Sequence, residues 1–159
     1  MKNYYFIIAL LVCVLCNAQC DIKTNNRPDG NTIKYFNPKP VIRQSNYEVA
    51  TAIYKNITTD KYMVCISILF VGINPMDVME DLTIQTTSQK SIVLKFINSN
   101  KIKMNGRDLT FALFDLDSSS KINLENNSLK SLFFYMNGKM YGSSVTENKS
   151  ILINELDCL

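Results

Sequence analysis

Along much of this chain apolar and polar residues alternate at the two-residue repeat of a β-strand, and turn residues interrupt the alternation at intervals. Tyr47 to Ile57 (YEVATAIYKNI) sets Tyr47, Val49, Thr51 and Ile53 against Glu48, Ala50, Ala52 and Tyr54, the pattern of a strand with two distinct faces. Tyr62 to Val71 (YMVCISILFV) is apolar throughout, as expected of a central strand buried on both faces. The polar break at Thr58 to Lys61 joins the two, so they should pair as an antiparallel hairpin. Leu82, Ile84 and Thr86 precede a turn at Ser88-Gln89-Lys90, and Ile92, Leu94 and Phe96 follow it, which predicts a second hairpin. Leu109 to Asp117 reads as a further strand after the loop signal Asn105-Gly106-Arg107. Ser131 to Met136 and Lys139 to Val145 form a third hairpin about Asn137-Gly138, a dipeptide suited to a two-residue turn because both positions tolerate positive φ.

The remaining segments are more polar. Asp21 to Asn31 carries Pro28-Asp29-Gly30, a turn signal. Thr32 to Phe36 predicts a short strand that Asn37-Pro38-Lys39-Pro40 ends, because prolines withhold ladder donors. Gly72 to Asp81 reads as a turn or short helix around Asn74-Pro75, and Ile73 to Asp81 and Asn98 to Asp108 as presented loops. Ser118 to Ser120 offer N-caps for a short helix reaching Asn127. At the C-terminus Ile151, Leu152, Glu155 and Leu156 fall at helical spacing, with Thr146 or Asn148 as cap and a strand as the alternative. The fold class expected is α+β: a mostly antiparallel, sandwich-like β-sheet structure of about seven or eight strands with one or two short helices.

The N-terminus changes the picture by fixing a compartment. Lys2 supplies a positive charge, and Tyr4 to Cys16 form an uncharged run of about thirteen residues, the length of a secretory core segment and short of a bilayer span. A small-x-small site at Cys16-Asn17-Ala18 follows. Residues 1–18 are therefore expected to be a signal peptide and residues 19–159 a single β-rich domain, exported to the periplasm or beyond, with no membrane span once the leader is removed. Lipid anchoring at Cys20 is the alternative, although Asn17 and Gln19 stand where a lipoprotein signal places Leu and a small residue.

Cleavage leaves Cys20, Cys65 and Cys158, and three pairings are possible. Cys65 lies inside the apolar Tyr62 to Val71 run, where a free thiol behaves as a small hydrophobe. Cys20 and Cys158 lie at the two ends, and the termini of a domain are often close in space. A Cys20–Cys158 disulfide with Cys65 as a buried free thiol is the expectation, the bridge worth up to about 5 kcal/mol on the chain-entropy account.

Candidate chemistry is sparse. The chain has no His, which removes Ser-His-Asp and Cys-His nucleophile arrangements and His-containing zinc sites. Three cysteines without paired spacing do not make a zinc site, and five glycines leave no phosphate-binding loop. Neither catalytic, cofactor-binding nor metal-binding residues are expected. Carboxylates are the remaining candidates: Asp77, Glu80 and Asp81 in DVMED, and Asp115 and Asp117 at a strand end, which a calcium site or a glycosidase pair would require to converge. A solvated turn with helix-N-terminal acids for the first cluster, and a strand end leading to a cap for the second, explain them better. Tyr35, Tyr47, Tyr54, Tyr62, Tyr135 and Tyr141 would make a ligand face if they shared one side of the sheet, but tyrosine is also a good strand residue. Asn56, Asn126 and Asn148 head Asn-x-Ser/Thr triplets, which read as chance in an Asn-rich chain. The net charge of +3 is scattered, so nucleic acid is not an expected partner.

The run RPDGNTIKYFNPKPV (Arg27 to Val41), the NYEVATAIYKN strand and the terminal NELDCL together resemble a loose group of short exported proteins of Bacteroidetes. These share a leader ending in Asn-Ala-Gln and a Cys near each end of the mature chain. The resemblance implies export and the terminal pairing, and no activity. Two functions stay open: a non-catalytic binding or interaction module of the bacterial cell envelope, its partner an unknown protein or envelope ligand, and a small hydrolase using Asp77, Glu80, Asp115 and Asp117.

Overall fold

The computed structural model of the chain describes residues 20–159; the leader read at residues 1–18 and its cleavage point lie outside them. The chain passes through β1 (Lys23–Asn26), β2 (Thr32–Tyr35), β3 (Lys39–Arg43), β4 (Tyr47–Asn56), β5 (Lys61–Phe70) and β6 (Val78–Thr86). It continues with β7 (Ser91–Leu94), β8 (Phe96–Met104), β9 (Arg107–Leu116), helix α1 (Ser118–Asn126), β10 (Leu129–Met136), β11 (Lys139–Ser144) and helix α2 (Ile151–Leu156). Every strand pairing is antiparallel. Sheet A runs β1-β2-β4-β5-β9-β8, with β3 also paired to β4, and sheet B runs β11-β10-β6-β7.

The two sheets and both helices share one core. Val49, Ile53, Val64, Ile66, Ile68 and Phe114 from the inner face of sheet A meet Leu82, Ile84, Leu94, Leu132 and Phe134 of sheet B, while Leu124, Leu152 and Leu156 close it from the helices. These are the alternate residues of each strand, so period-two patterning translates directly into burial. The β4–β5 hairpin pairs in full from Tyr47↔Phe70 to Asn56↔Lys61. Both two-residue turns adopt left-handed backbone at both positions: Asn137 and Gly138 at φ 48° and 74°, Asn105 and Gly106 at φ 51° and 75°, which fits the right-handed twist of the strands they join.

The described residues hold eleven strands rather than seven or eight, and each addition has a local cause. The Asp21 to Asn31 stretch contributes β1, which forms a hairpin with β2 across the expected Pro28-Asp29-Gly30 turn. The proline-rich segment does end β2, but a new strand starts at once. β3 contains Pro40, tolerated because the strand pairs only with β4 and its register shifts between Pro40 and Ile42. Asn98 to Asp108 is not a loop: it supplies most of β8, paired along β9. The segment expected as one strand through Ile92, Leu94 and Phe96 instead leaves sheet B at Leu94 and enters sheet A at Phe96. Gly72 to Asp81 is neither simply a turn nor a helix, since β6 begins at Val78 and absorbs Glu80, at φ 69°, where its pairing with β10 is irregular.

The helices also refine the expectation. Asp117, not Ser118 to Ser120, caps α1: its carboxylate accepts from the N–H groups of Ser119 and Ser120. The C-terminal segment is helical, begins after Ser150 rather than at Thr146 or Asn148, and buries Ile151, Leu152, Glu155 and Leu156. That is the stripe its spacing predicts.

Cys20 and Cys158 form a disulfide with Cα atoms 6.0 Å apart across 138 residues of chain, and Cys65 is a buried free thiol on β5. Breaking a bridge that closes so long a loop should cost 2–5 kcal/mol, by the measured range of such removals. We expect Cys158→Ser to lower the unfolding free energy measured by denaturant titration by that amount, and reductant to do the same to the native protein. Cys65 should resist alkylation until the protein unfolds.

Candidate functional site

The structure disperses the carboxylates that a hydrolase would need. Asp77 pairs with Lys101 at 2.9 Å and Asp81 with Lys95 at 2.7 Å. Glu80 is exposed at the irregular point of β6, and Asp115 is exposed at the end of β9. Asp117 is consumed by its capping role: hydrogen bonds from Ser119 and Ser120 hold its carboxyl well below the ordinary range. No group of three or more His, Cys, Asp or Glu side chains comes together at metal-binding geometry among the described residues. Burial raises the Cys65 thiol to about 12, so it is protonated and inert as a nucleophile at neutral pH.

The tyrosines divide between environments. Tyr35 and Tyr54 stack with centroids 5.1 Å apart on the outer face of sheet A. Tyr47 and Tyr141 pack with Phe134 toward the core. The Tyr62 ring lies between the ammonium groups of Lys55 and Lys121, at 4.6 and 4.7 Å. They do not form one ligand face. The three glycosylation triplets are structural as well: the side-chain nitrogens of Asn56, Asn126 and Asn148 donate to Asn31 Oδ1, the Ile122 carbonyl and the Pro40 carbonyl.

Two features stand out instead. The first is the outer face of sheet A. Residues opposite one another across an antiparallel pair share a face, so the registers of β4, β5 and β9 place Ala50, Ala52, Cys65 and Ser67 in a row of small side chains. Taller Tyr54, Met63, Leu69, Phe111 and Leu113 flank that row on the same face. Cys65 and Leu109 are buried here, yet neither belongs to the shared core. The central strand is therefore largely apolar on both faces, but only its inner face belongs to the shared core. A trough of about 390 Å³ runs past Pro38, Pro40, Ala50, Ser67, Leu69, Met104 and Phe111, and Ile102 and Met104 of β8 are 41% and 50% exposed.

The second feature is Glu155, the residue that sequence reasoning placed on an apolar helical stripe without assigning it a task. β2 and β3 share one edge of β4, and the Phe36-Asn37-Pro38 link between them leaves a gap in the ladder. Phe36 N–H still reaches the Ile53 carbonyl. The Ile53 N–H donates instead to Glu155 Oε2 at 2.6 Å. Glu155 is 3% exposed, and its Oε1 is buried with no hydrogen-bond partner. Burial raises its carboxyl to about 7, against the opposing effects of the Ile53 bond and the charge of Lys39. A cavity of about 650 Å³ adjoins it, lined by Phe36, Lys39, Ile151, Asn154 and the disulfide among others.

No protein-family model, curated protein or solved structure matches this chain.

The position of Glu155 sets a pH dependence of stability. Its ordinary value near 4.5 rises to about 7 on folding, so between these values the folded state holds the proton more tightly than the unfolded chain. Stability should therefore be highest at the acid end of that window and fall as pH rises through it, by at most about 3 kcal/mol. Asp81 and Asp117 are shifted downward, so they titrate below the window. Denaturant titrations at pH 5 and pH 8 should show the loss, and Glu155→Gln, which keeps an acceptor for Ile53, should remove most of it. Asp117→Ala should cost about 1 kcal/mol at neutral pH through the lost cap.

Proposed function

We propose that this protein is an exported, non-catalytic binding module of a bacterial cell envelope, a disulfide-closed, sandwich-like domain that recognises another protein through the outer face of sheet A. The observation that carries the reading is the trough on that face: small side chains at Ala50 and Ser67 between taller Leu69, Met104, Leu109 and Phe111. Such relief accepts inserted side chains from a partner. Its walls include Met104 and Phe111, residue types that adapt to and anchor protein contacts. A largely apolar depression rimmed by polar residues such as Asn37 and Glu48 is what recognition sites present.

Export is supported by the leader pattern and by the Cys20–Cys158 bridge, since structural disulfides persist in oxidising compartments. No helix among the described residues is long and apolar enough to cross a membrane. The resemblance to short exported Bacteroidetes proteins agrees with this assignment. The hydrolase reading loses support because Asp77 and Asp117 are engaged in separate structural contacts.

The test places a photo-crosslinking residue at Met104 on the outer face and, as control, at Val93 of β7, which is 52% exposed in the other sheet. In the native envelope, position 104 should yield a discrete protein adduct and position 93 none. The paired substitution Ile102→Lys with Met104→Lys should abolish that adduct, formed through a crosslinker at Phe111, while changing stability by no more than about 0.5 kcal/mol, as exposed positions allow. Equal crosslinking from both sheets, or none from position 104, would remove the reading.

A further inference from the structure

The cavity beside Glu155 lies away from the trough and is built from different parts of the chain. Its lining combines Cys20 and Asp21 from the start of the described residues, Phe36, Asn37 and Lys39 from the gap between β2 and β3, and residues of α2 through Cys158. Phe36 and Ile151 are buried apolar walls, 7% and 5% exposed. Glu155 presents a carboxylate of which one oxygen serves Ile53 and the other, also out of contact with solvent, has no partner. A buried carboxylate oxygen left without a donor is costly. Asp21 and Asp157 add two exposed acids to the lining, and Lys39 is the single cation among the lining residues.

We propose that this cavity binds an organic cation, a primary ammonium on an apolar alkyl or aryl body, with Glu155 turning Oε1 from its solvent-inaccessible position toward the cavity to accept from the ammonium. The apolar body lies against Phe36, Ile151 and the disulfide, and Asp21 and Asp157 favour entry of positive charge. An ammonium carries three donors, so after Oε1 is satisfied the side-chain oxygens of Asn37 and Asn154 remain as further acceptors in the lining. An anion or a neutral apolar molecule would leave Oε1 unsatisfied and face three carboxylates.

Binding is linked to proton release. The charged groups around the cavity are Lys39 from β3, which favours the Glu155 carboxylate, and the acids Asp21 and Asp157 in the lining; Tyr54 and Cys65 on β4 and β5 feel its charge and are neutral at these pH values. With the carboxyl titrating near 7, a cation selects the ionised form. Affinity should drop about tenfold from pH 8 to pH 6, with a proton released per ligand at the acid end.

The experiment is calorimetric titration of the oxidised protein with benzylamine and, as neutral isostere, benzyl alcohol, at pH 8 and pH 6 in buffers of different ionisation enthalpy. Benzylammonium should bind saturably and at least about tenfold more tightly than the alcohol at pH 8, a difference near 1.4 kcal/mol. Glu155→Gln should erase that preference and the pH dependence together. Asp21→Asn and Asp157→Asn, at exposed positions where folding is not at risk, should each weaken the amine about two- to threefold and leave the alcohol unchanged. Equal affinity for amine and alcohol, no saturable binding of the amine, or amine binding that ignores both pH and the two aspartate substitutions would overturn the proposal, whether or not Glu155→Gln folds.

Discussion

The edge of β4 away from β5 is never covered by one continuous strand, and the two ends of the described residues are arranged around the gap this leaves. β2 takes the stretch near Tyr54 to Asn56, β3 takes the stretch near Glu48 to Thr51, and the link between them carries Pro38. Ile53 N–H faces that gap in a buried setting, where an unpaired backbone donor would be strongly unfavourable. Glu155 supplies the acceptor from α2. A helix of six residues would not persist alone in water, so its position depends on burying Ile151, Leu152 and Leu156 and on the Cys20–Cys158 bridge just beyond it. The disulfide thus holds the segment that completes the sheet, which is why the first and last residues of the described chain meet at this edge.

Legibility in the sequence followed burial. The alternating half of β4, β10 and the helical stripe of α2 were readable because each turns its apolar residues to the core at the period of its element, β5 because it is apolar throughout, and β11 through the Asn137-Gly138 turn. β1 and β8 were not. The sequence of β8, FINSNKIKM, is mostly exposed at the end of sheet A; its extended form comes from pairing with β9, a tertiary cause that leaves little local pattern. The Asn105-Gly106 turn is the signal present, since it is the same two-residue hairpin dipeptide as Asn137-Gly138. The crossing at Lys95 was also hidden, because Ile92, Leu94 and Phe96 keep strand rhythm while the chain changes sheets. β3 was masked by Pro40, which argues against a central strand but not against one that pairs on a single side.

Glu155 was half legible. Its spacing placed it among Ile151, Leu152 and Leu156 on the face that turned out to be buried, but a glutamate is ordinarily expected at the margin of such a face. What the sequence does not display is the missing acceptor at Ile53, which exists only because β2 and β3 part at Asn37-Pro38. An acid on an apolar helical stripe, in a chain whose ends are tied together, is the pattern that points to it.

A glutamine at this position would hold the Ile53 N–H as well as a glutamate does, without any cost of keeping a charge away from water. The carboxylate therefore contributes something an amide would not, namely charge and a second acceptor of high basicity directed at a partner outside the backbone ladder. Its burial is a standing penalty in the empty protein at neutral pH, and a cation in the adjoining cavity is the interaction that would offset it. The trough on sheet A has a different character, its walls mostly apolar and its single charged lining residue the Arg43-paired Glu48. One chain thus presents two surfaces of different chemistry: one shaped by the pleat of three central strands, the other by the place where its ends close the sheet.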